Sequence, residues 1–203
     1  MKEIAVIDYG AGNIASLINS LEYLGRKVKV LKEPPDKNYS HIILPGVGSF
    51  GKLSDNLKNL NFDNYILESL KKGSYLYGIC VGMQLLFQKS EESNDKSGLC
   101  LLEGKFEKIP TLENEFLPLP HVGFGKINNC NTKLFSNIQK EAYFYFIHSY
   151  CLKEAPKNVN FCTTEYGSKF ISFIEKDNIY GSQFHPEKSH KTGLKLINNF
   201  LNL

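Results

Sequence analysis

Apolar and polar positions alternate along this chain at two periods, and the switches between them mark out the elements. Ile4-Ala5-Val6-Ile7-Asp8 has the length of a buried strand, and Ile14 to Leu24 repeats apolar residues at helical spacing until Gly25 stops it. Lys27 to Leu31 alternates as a second strand, and His41-Ile42-Ile43-Leu44 forms a third that ends at Pro45-Gly46-Val47-Gly48. A helical stretch fills 50 to 72, with a break expected near Asn61-Phe62-Asp63. Ser74 to Ile79 reads as another buried strand, and Met83-Gln84-Leu85-Leu86-Phe87 as the helix that follows. Repeated βα units of this length predict an α/β fold, an open, mostly parallel twisted sheet with helices on both faces.

The second half changes character. From Gly98 to Asp177, short β-like runs are separated by Pro, Asn and Gly; examples are Tyr143 to Cys151, Asn158 to Thr164 and Lys169 to Glu175. These read as added, partly antiparallel strands. Ile179 to Phe184 is a late strand, and Lys191 to Leu203 a closing helix with Leu194, Ile197, Phe200 and Leu201 on one face. No repeat or linker divides the chain, so residues 1–203 read as one domain.

Composition narrows the function classes. A chain of 42% apolar and 22% charged residues is ordinary for a globular protein, and its net charge of +3 is spread over scattered lysines. Neither a nucleic-acid stripe nor a polybasic membrane patch emerges, so no nucleic acid or membrane is expected among its partners. No apolar segment reaches the ~18 residues of a membrane-spanning helix. The first residues run straight into a strand without a signal-peptide pattern, which points to a cytoplasmic protein. The five cysteines (80, 100, 130, 151 and 162) form no CxxC pair and read as reduced thiols.

The chemistry concentrates at Gly78-Ile79-Cys80-Val81-Gly82. A nucleophile on so tight a strand-to-helix turn stands proud of the sheet, and the helix N-terminus leaves backbone N–H groups free for a developing oxyanion. A nucleophilic cysteine needs a base, and the base an orienting partner. Gly181-Ser182-Gln183-Phe184-His185-Pro186-Glu187-Lys188-Ser189 supplies both: His185 lies just past a strand end, and Glu187 can fold back onto its imidazole. A cysteine α/β-hydrolase would place its acid before the histidine; here the acid follows it by two residues. The loop Leu44-Pro45-Gly46-Val47-Gly48-Ser49 ends the third strand, and one of its N–H groups could join that of Val81 in a two-donor oxyanion hole.

Blander patterns carry less. Gly10-Ala11-Gly12-Asn13-Ile14-Ala15 after a strand, with Glu33 further on, has the outline of a dinucleotide fingerprint, but any tight βα turn gives the same glycines. His185-x-Glu187-x-x-His190 matches no helix-borne metal pair and follows a proline, so no metal is expected. Cys100, Cys130, Cys151 and Cys162 read as core or surface thiols, and His148 as a structural histidine rather than a second base.

Taken together and in order, the motifs Pro-Gly-Val-Gly at 45–48, Gly-Ile-Cys-Val-Gly-Met-Gln at 78–84, Phe-Ile-His-Ser-Tyr at 146–150 and Phe-His-Pro-Glu-Lys-Ser at 184–189 resemble the class I (triad) glutamine amidotransferases. Ile-Asp-Tyr-Gly-Ala-Gly-Asn at 7–13 and Pro-His-Val-Gly at 120–123 are similar to the branch that serves imidazole glycerol phosphate synthase in histidine biosynthesis. The resemblance implies a flavodoxin-like fold and a glutaminase in which Cys80 attacks the glutamine side-chain amide, His185 moves the proton and Glu187 orients His185. It implies that Gly46, Val47, Gly48, Val81, Gln84, Ser149 and Tyr150 hold the substrate or its oxyanion. It further implies no cofactor and a separate (β/α)8 cyclase as heterodimer partner, which receives the ammonia through its barrel. One departure stands out. Where that branch carries Trp-Asn after Pro-His-x-Gly, this chain has Phe124-Gly125, and it contains no tryptophan. The segment faces the synthase in that branch, so Phe124 and Lys188 are expected at the partner interface. The departure also raises an alternative, a paralogous glutaminase feeding a different synthase, such as one amidating a surface-glycan sugar.

Overall fold

The computed structural model describes residues 2–110, 117–128, 130 and 132–203. Positions 111–116, 129 and 131, within the stretch read above as added strands, lie outside the described residues. Five strands build the parallel core in the order β2 (Val28–Leu31), β1 (Ile4–Ile7), β3 (His41–Leu44), β4 (Tyr75–Ile79), β12 (Ile179–Ser182). β1 and β3 are buried along their whole length, as apolar runs covered on both faces must be, whereas β2 stands at the edge with Lys29 exposed. The helices are α1 (Ala15–Tyr23), α2 (Phe50–Asn59), α3 (Phe62–Lys71), α4 (Val81–Leu85) and α5 (His190–Leu201). The break expected near Asn61 is there: Asn61 takes φ 58, a left-handed conformation that asparagine tolerates, and separates α2 from α3.

The sheet then turns antiparallel. β11 (Ser168–Lys176) pairs with β12, and the sheet continues antiparallel through β9 (Tyr150–Leu152) and β6 (Lys105–Lys108), with β5 (Lys89–Ser90) parallel to β6 at the edge, while β10 (Asn160–Tyr166) pairs along β11. β7 (His121–Lys126) and β8 (Tyr143–His148) form a separate antiparallel ribbon. Phe144 and Phe146 of this ribbon pack on Phe184, with ring centroids 4.2 and 5.7 Å away, and so tie the ribbon to the end of β12.

Four expectations need correction. Tyr143 to Cys151 is not one strand: it breaks at Ser149, and its halves join different sheets. The short helix expected from Met83 to Phe87 begins at Val81, immediately after Cys80. The buried face of α5 is Gly193, Leu196, Ile197, Phe200 and Leu201; Leu194 is only half-buried. Finally, Cys130 and Cys162 are joined as a disulfide rather than standing as reduced thiols. The bridge between Asn128 and Thr163 lays the two segments side by side and brings their Cα atoms to 4.5 Å, although the cysteines are 32 residues apart in sequence.

Candidate active site

Cys80 links β4 to α4 with φ 55 and ψ −113, a conformation costly for any residue with a Cβ. Three chain segments meet behind it, and the glycines permit the approach. A Cβ on Gly82 would overlap the Leu44 carbonyl oxygen, one on Gly46 the Gly82 amide, and one on Gly78 would lie 2.6 Å from the Gly82 oxygen. The turn is thereby locked against the end of β3, and Cys80 is almost fully buried.

β12 runs beside β4 in parallel, with Ser182 opposite Ile79, so the residues after it arrive next to Cys80. His185 is held by its own backbone, which donates to the Tyr145 carbonyl at 2.8 Å. Its Nδ1 donates to Glu187 Oε1 at 2.7 Å, and both side chains are buried. Burial alone would push the His185 imidazole down, but the charge and hydrogen-bonding capacity of the nearby Cys80 sulfur, and then the Glu187 carboxylate, outweigh it and raise the imidazole to about 10. His185 Nε2 nevertheless closes no aligned bond: it is a buried atom without a partner. Such an open geometry is common in a free enzyme, where the catalytic bond tightens only with substrate.

A cleft of about 270 Å³ opens over these residues. Gly46, Val47, Gly48, Cys80, Val81, Gln84, Ser149, Tyr150 and His185 all line it, so nine of the positions singled out in the sequence converge on one cavity. Glu187 stands behind His185, outside the cleft. Phe124 and Lys188 lie apart from the cavity, on the outer face of the ribbon and beside it. Phe124 is half exposed and stacks on His190 at 5.4 Å, and the Lys188 ammonium sits 5.8 Å from the Tyr145 ring centre. Gly125 turns the other way: a Cβ there would meet Phe146 and Thr164 at 3.0 Å.

Two of the backbone N–H groups expected at an oxyanion hole are engaged elsewhere. The Val81 N–H donates to the Gly46 carbonyl at 3.3 Å, and the Val47 N–H to the Ala11 carbonyl at 3.0 Å. Gly46 C=O and Val47 N–H belong to one peptide plane, so a single amide both covers one donor and points the other away. Tyr9 anchors this loop from below, its buried hydroxyl donating to the Pro45 carbonyl at 2.6 Å.

Sequence reasoning missed two residues that line the cleft, Glu92 and Ile147, and one packed against the Cys80 sulfur, Gln183. Glu92 comes from the loop after β5; it lines the cleft and accepts from the Phe50 N–H at 2.7 Å, capping α2. Nothing in its local charged run distinguishes it. Gln183 stands two residues before His185 in the same motif. It is fully buried, accepts from the Gln84 amide at 3.4 Å and directs its own amide to the Cys80 sulfur at 3.7 Å. Ile147 also lines the cleft, and its carbonyl lies 3.8 Å from that sulfur.

A family model described as "Glutamine amidotransferase class-I" matches residues 5–203. The chain belongs to the class I glutamine amidotransferases. As a member of that family it is an enzyme with glutaminase activity. It is 38% identical to the "Imidazole glycerol phosphate synthase subunit HisH" of Helicobacter hepaticus, with 98% of each chain covered. It is 39% identical to the subunit of the same name from Chlorobium chlorochromatii, covering 98% of this chain and all of that one. Among solved structures, one described as a glutamine amidotransferase superposes with a TM-score of 0.76 at 17% identity, covering 98% of this chain and 97% of the other. PurLQS from Thermotoga maritima superposes with a TM-score of 0.73 at 22% identity, covering 100% and 99%. At those identities the two structures speak to the amidotransferase fold alone.

Proposed function

We propose that this single-domain chain, residues 1–203, is the glutaminase subunit of imidazole glycerol phosphate synthase, a cytoplasmic enzyme of histidine biosynthesis. The observation that carries the chemistry is the meeting of Cys80 and His185 at one cleft sized for a small amino acid, with Glu187 behind the histidine on Nδ1. Full-length similarity to subunits of that name supports the pathway.

Cys80, with its proton held by His185 Nε2, attacks the side-chain carbonyl of glutamine, and His185 gives that proton to the departing ammonia. Glu187 holds His185 in the required tautomer through Nδ1 and stabilises its charge. Water then cleaves the γ-glutamyl thioester, with His185 acting as base. Gln84, Ser149 and Tyr150 hold the substrate, and the Glu92 carboxylate is the natural partner for its α-ammonium. Rotating the Gly46–Val47 peptide frees the Val81 N–H and turns the Val47 N–H inward, which assembles the oxyanion hole through Gly46, Val47, Gly48 and Val81 in one motion.

The ammonia passes to a (β/α)8 cyclase bound as the other half of a heterodimer. The ribbon supports this docking: Val122, Phe124, Tyr143 and Ile147 are exposed along one face, with Lys188 at its edge. Phe124 offers aromatic area there without an indole donor, which is the observation favouring the alternative, a glutaminase feeding a different synthase.

Co-purification with the histidine-pathway cyclase, followed by a glutaminase assay, tests the reading. The nucleotide-loaded cyclase should bind and strongly stimulate glutamine hydrolysis, and Cys80→Ala should abolish the glutamine-dependent reaction while sparing the ammonia-dependent one. A cyclase that neither binds nor stimulates would move the assignment to another synthase.

A further inference from the structure

The inner face of the β7–β8 ribbon holds a pair of histidines that the triad chemistry does not use. His121 and His148 stand directly opposite each other in register, and both are buried. His121 is sandwiched by aromatic rings, 3.9 Å from the Tyr166 centroid and 5.0 Å from that of Phe146. Its Nδ1 lies 3.1 Å from His148 Nε2, and His148 Nδ1 lies 2.9 Å from the Tyr150 carbonyl oxygen.

The protons on this chain follow from its far end. A carbonyl oxygen only accepts, so His148 must carry its proton on Nδ1. Burial lowers both imidazoles, His121 to about 4 and His148 to about 3, so both are neutral near pH 7. A neutral His148 with Nδ1–H presents Nε2 as an acceptor, and His121 must then donate from its own Nδ1. Each bond thus runs in one direction, from β7 through β8 to Tyr150.

The location gives the chain a consequence. β8 ends at His148 and β9 begins at Tyr150, so the His148–Tyr150 bond closes across Ser149. His148, Ser149 and Tyr150 all line the cleft over Cys80. We infer that His121 and His148 are positioning residues for glutamine: His121 fixes the His148 ring, and His148 clamps the Ser149–Tyr150 turn in the shape that receives the substrate. This rests on the reading above that the turn holds glutamine.

Two substitutions at His121 separate this role from packing. His121→Phe keeps a ring for Tyr166 and Phe146 to stack on and removes the donor. His121→Asn loses the ring but carries an N–H on Cγ, where Nδ1 stood. With the cyclase present, the relay predicts KM for glutamine raised about tenfold in His121→Phe, the worth of one buried hydrogen bond, with kcat within about threefold. His121→Asn should stay within about threefold of the wild type in both. A packing role predicts the opposite order, and that order would overturn the inference. Iodoacetamide should alkylate Cys80 at the same rate in all three proteins, since the nucleophile is untouched. Side-chain ¹⁵N NMR of the wild-type chain gives a reading independent of glutamine. Both histidines should be neutral with Nδ1–H at pH 7, and an Nε2–H tautomer or an imidazolium at either would sink the relay. Nδ1–H tautomers in a chain that fails to hydrolyse glutamine would instead count against the assignment of the cleft, and the relay to a glutamine site would fall with it.

Discussion

Replacing Tyr9 by Phe removes one oxygen and leaves the shape of the side chain intact. That oxygen donates to the Pro45 carbonyl at 2.6 Å, and donor and acceptor are both buried. The substitution therefore leaves a carbonyl without a partner in the interior, which costs about 1–3 kcal/mol, more than the ~1 kcal/mol of an average hydrogen bond. For a chain of 203 residues this corresponds to a fall of about 2–12 °C in Tm. Burial, reinforced by the nearby Cys80, holds the Tyr9 hydroxyl protonated well above its ordinary range. The donor is therefore present throughout, and the difference between wild type and Tyr9→Phe should not change between pH 5 and pH 9. Urea denaturation at several pH values, with calorimetry alongside, measures both quantities. A loss below about 0.5 kcal/mol, or a loss that vanishes toward pH 9, would refute the claim that this bond pins the loop.

Three further outcomes are expected. His185 binds its proton more tightly folded, at about 10, than unfolded, at 6.5, so its charge supports the fold fully below about pH 6.5 and that support drains away as pH rises through about 10. Tm should consequently fall from pH 7 to 10 more steeply in the wild type than in Cys80→Ala, which lacks the partner that most raises the imidazole; equal slopes would contradict this. Phe184→Ala should cost about 3–5 kcal/mol in urea denaturation, because the ring is fully buried against Phe144, Phe146 and Phe173 and carries His185 on the next position. Phe124→Asp should leave Tm within about 2 °C, since the ring is half exposed, while weakening cyclase binding at least tenfold by isothermal calorimetry.

The parallel half of the molecule was legible because its signals are local. Runs such as Ile4–Ile7 and His41–Leu44 are apolar over their whole length because both faces of the sheet are covered, and Asn61 marks its own break. The tight turn from Gly78 to Gly82 was legible for the same reason, since glycines are demanded wherever backbones touch. What escaped depends on distant partners. No Gly or Pro marks Ser149, and the strand there divides because its two halves pair with β7 and with β6 and β11. Leu196 rather than Leu194 faces the core because packing sets the rotation of α5. Cys130 and Cys162 meet only after β10 is laid beside the segment at Asn128. Glu92 reaches the cleft from a loop of unremarkable charges, and the orientation of the Gly46–Val47 amide leaves no trace in residue type.

That amide has a bearing on inhibitor chemistry. Reagents that inactivate a thiol by simple displacement, such as an alkyl halide carried on a glutamine-like skeleton, need the sulfur and the substrate cradle but no oxyanion donors. Aldehydes and other tetrahedral mimics draw most of their affinity from those donors. With the Val81 and Val47 N–H groups both engaged by other carbonyls, the resting chain should discriminate between the two classes. Displacement reagents should label the lone subunit, whereas tetrahedral mimics should favour the form in which one peptide plane has turned, so their relative potency reports the fraction of molecules switched on.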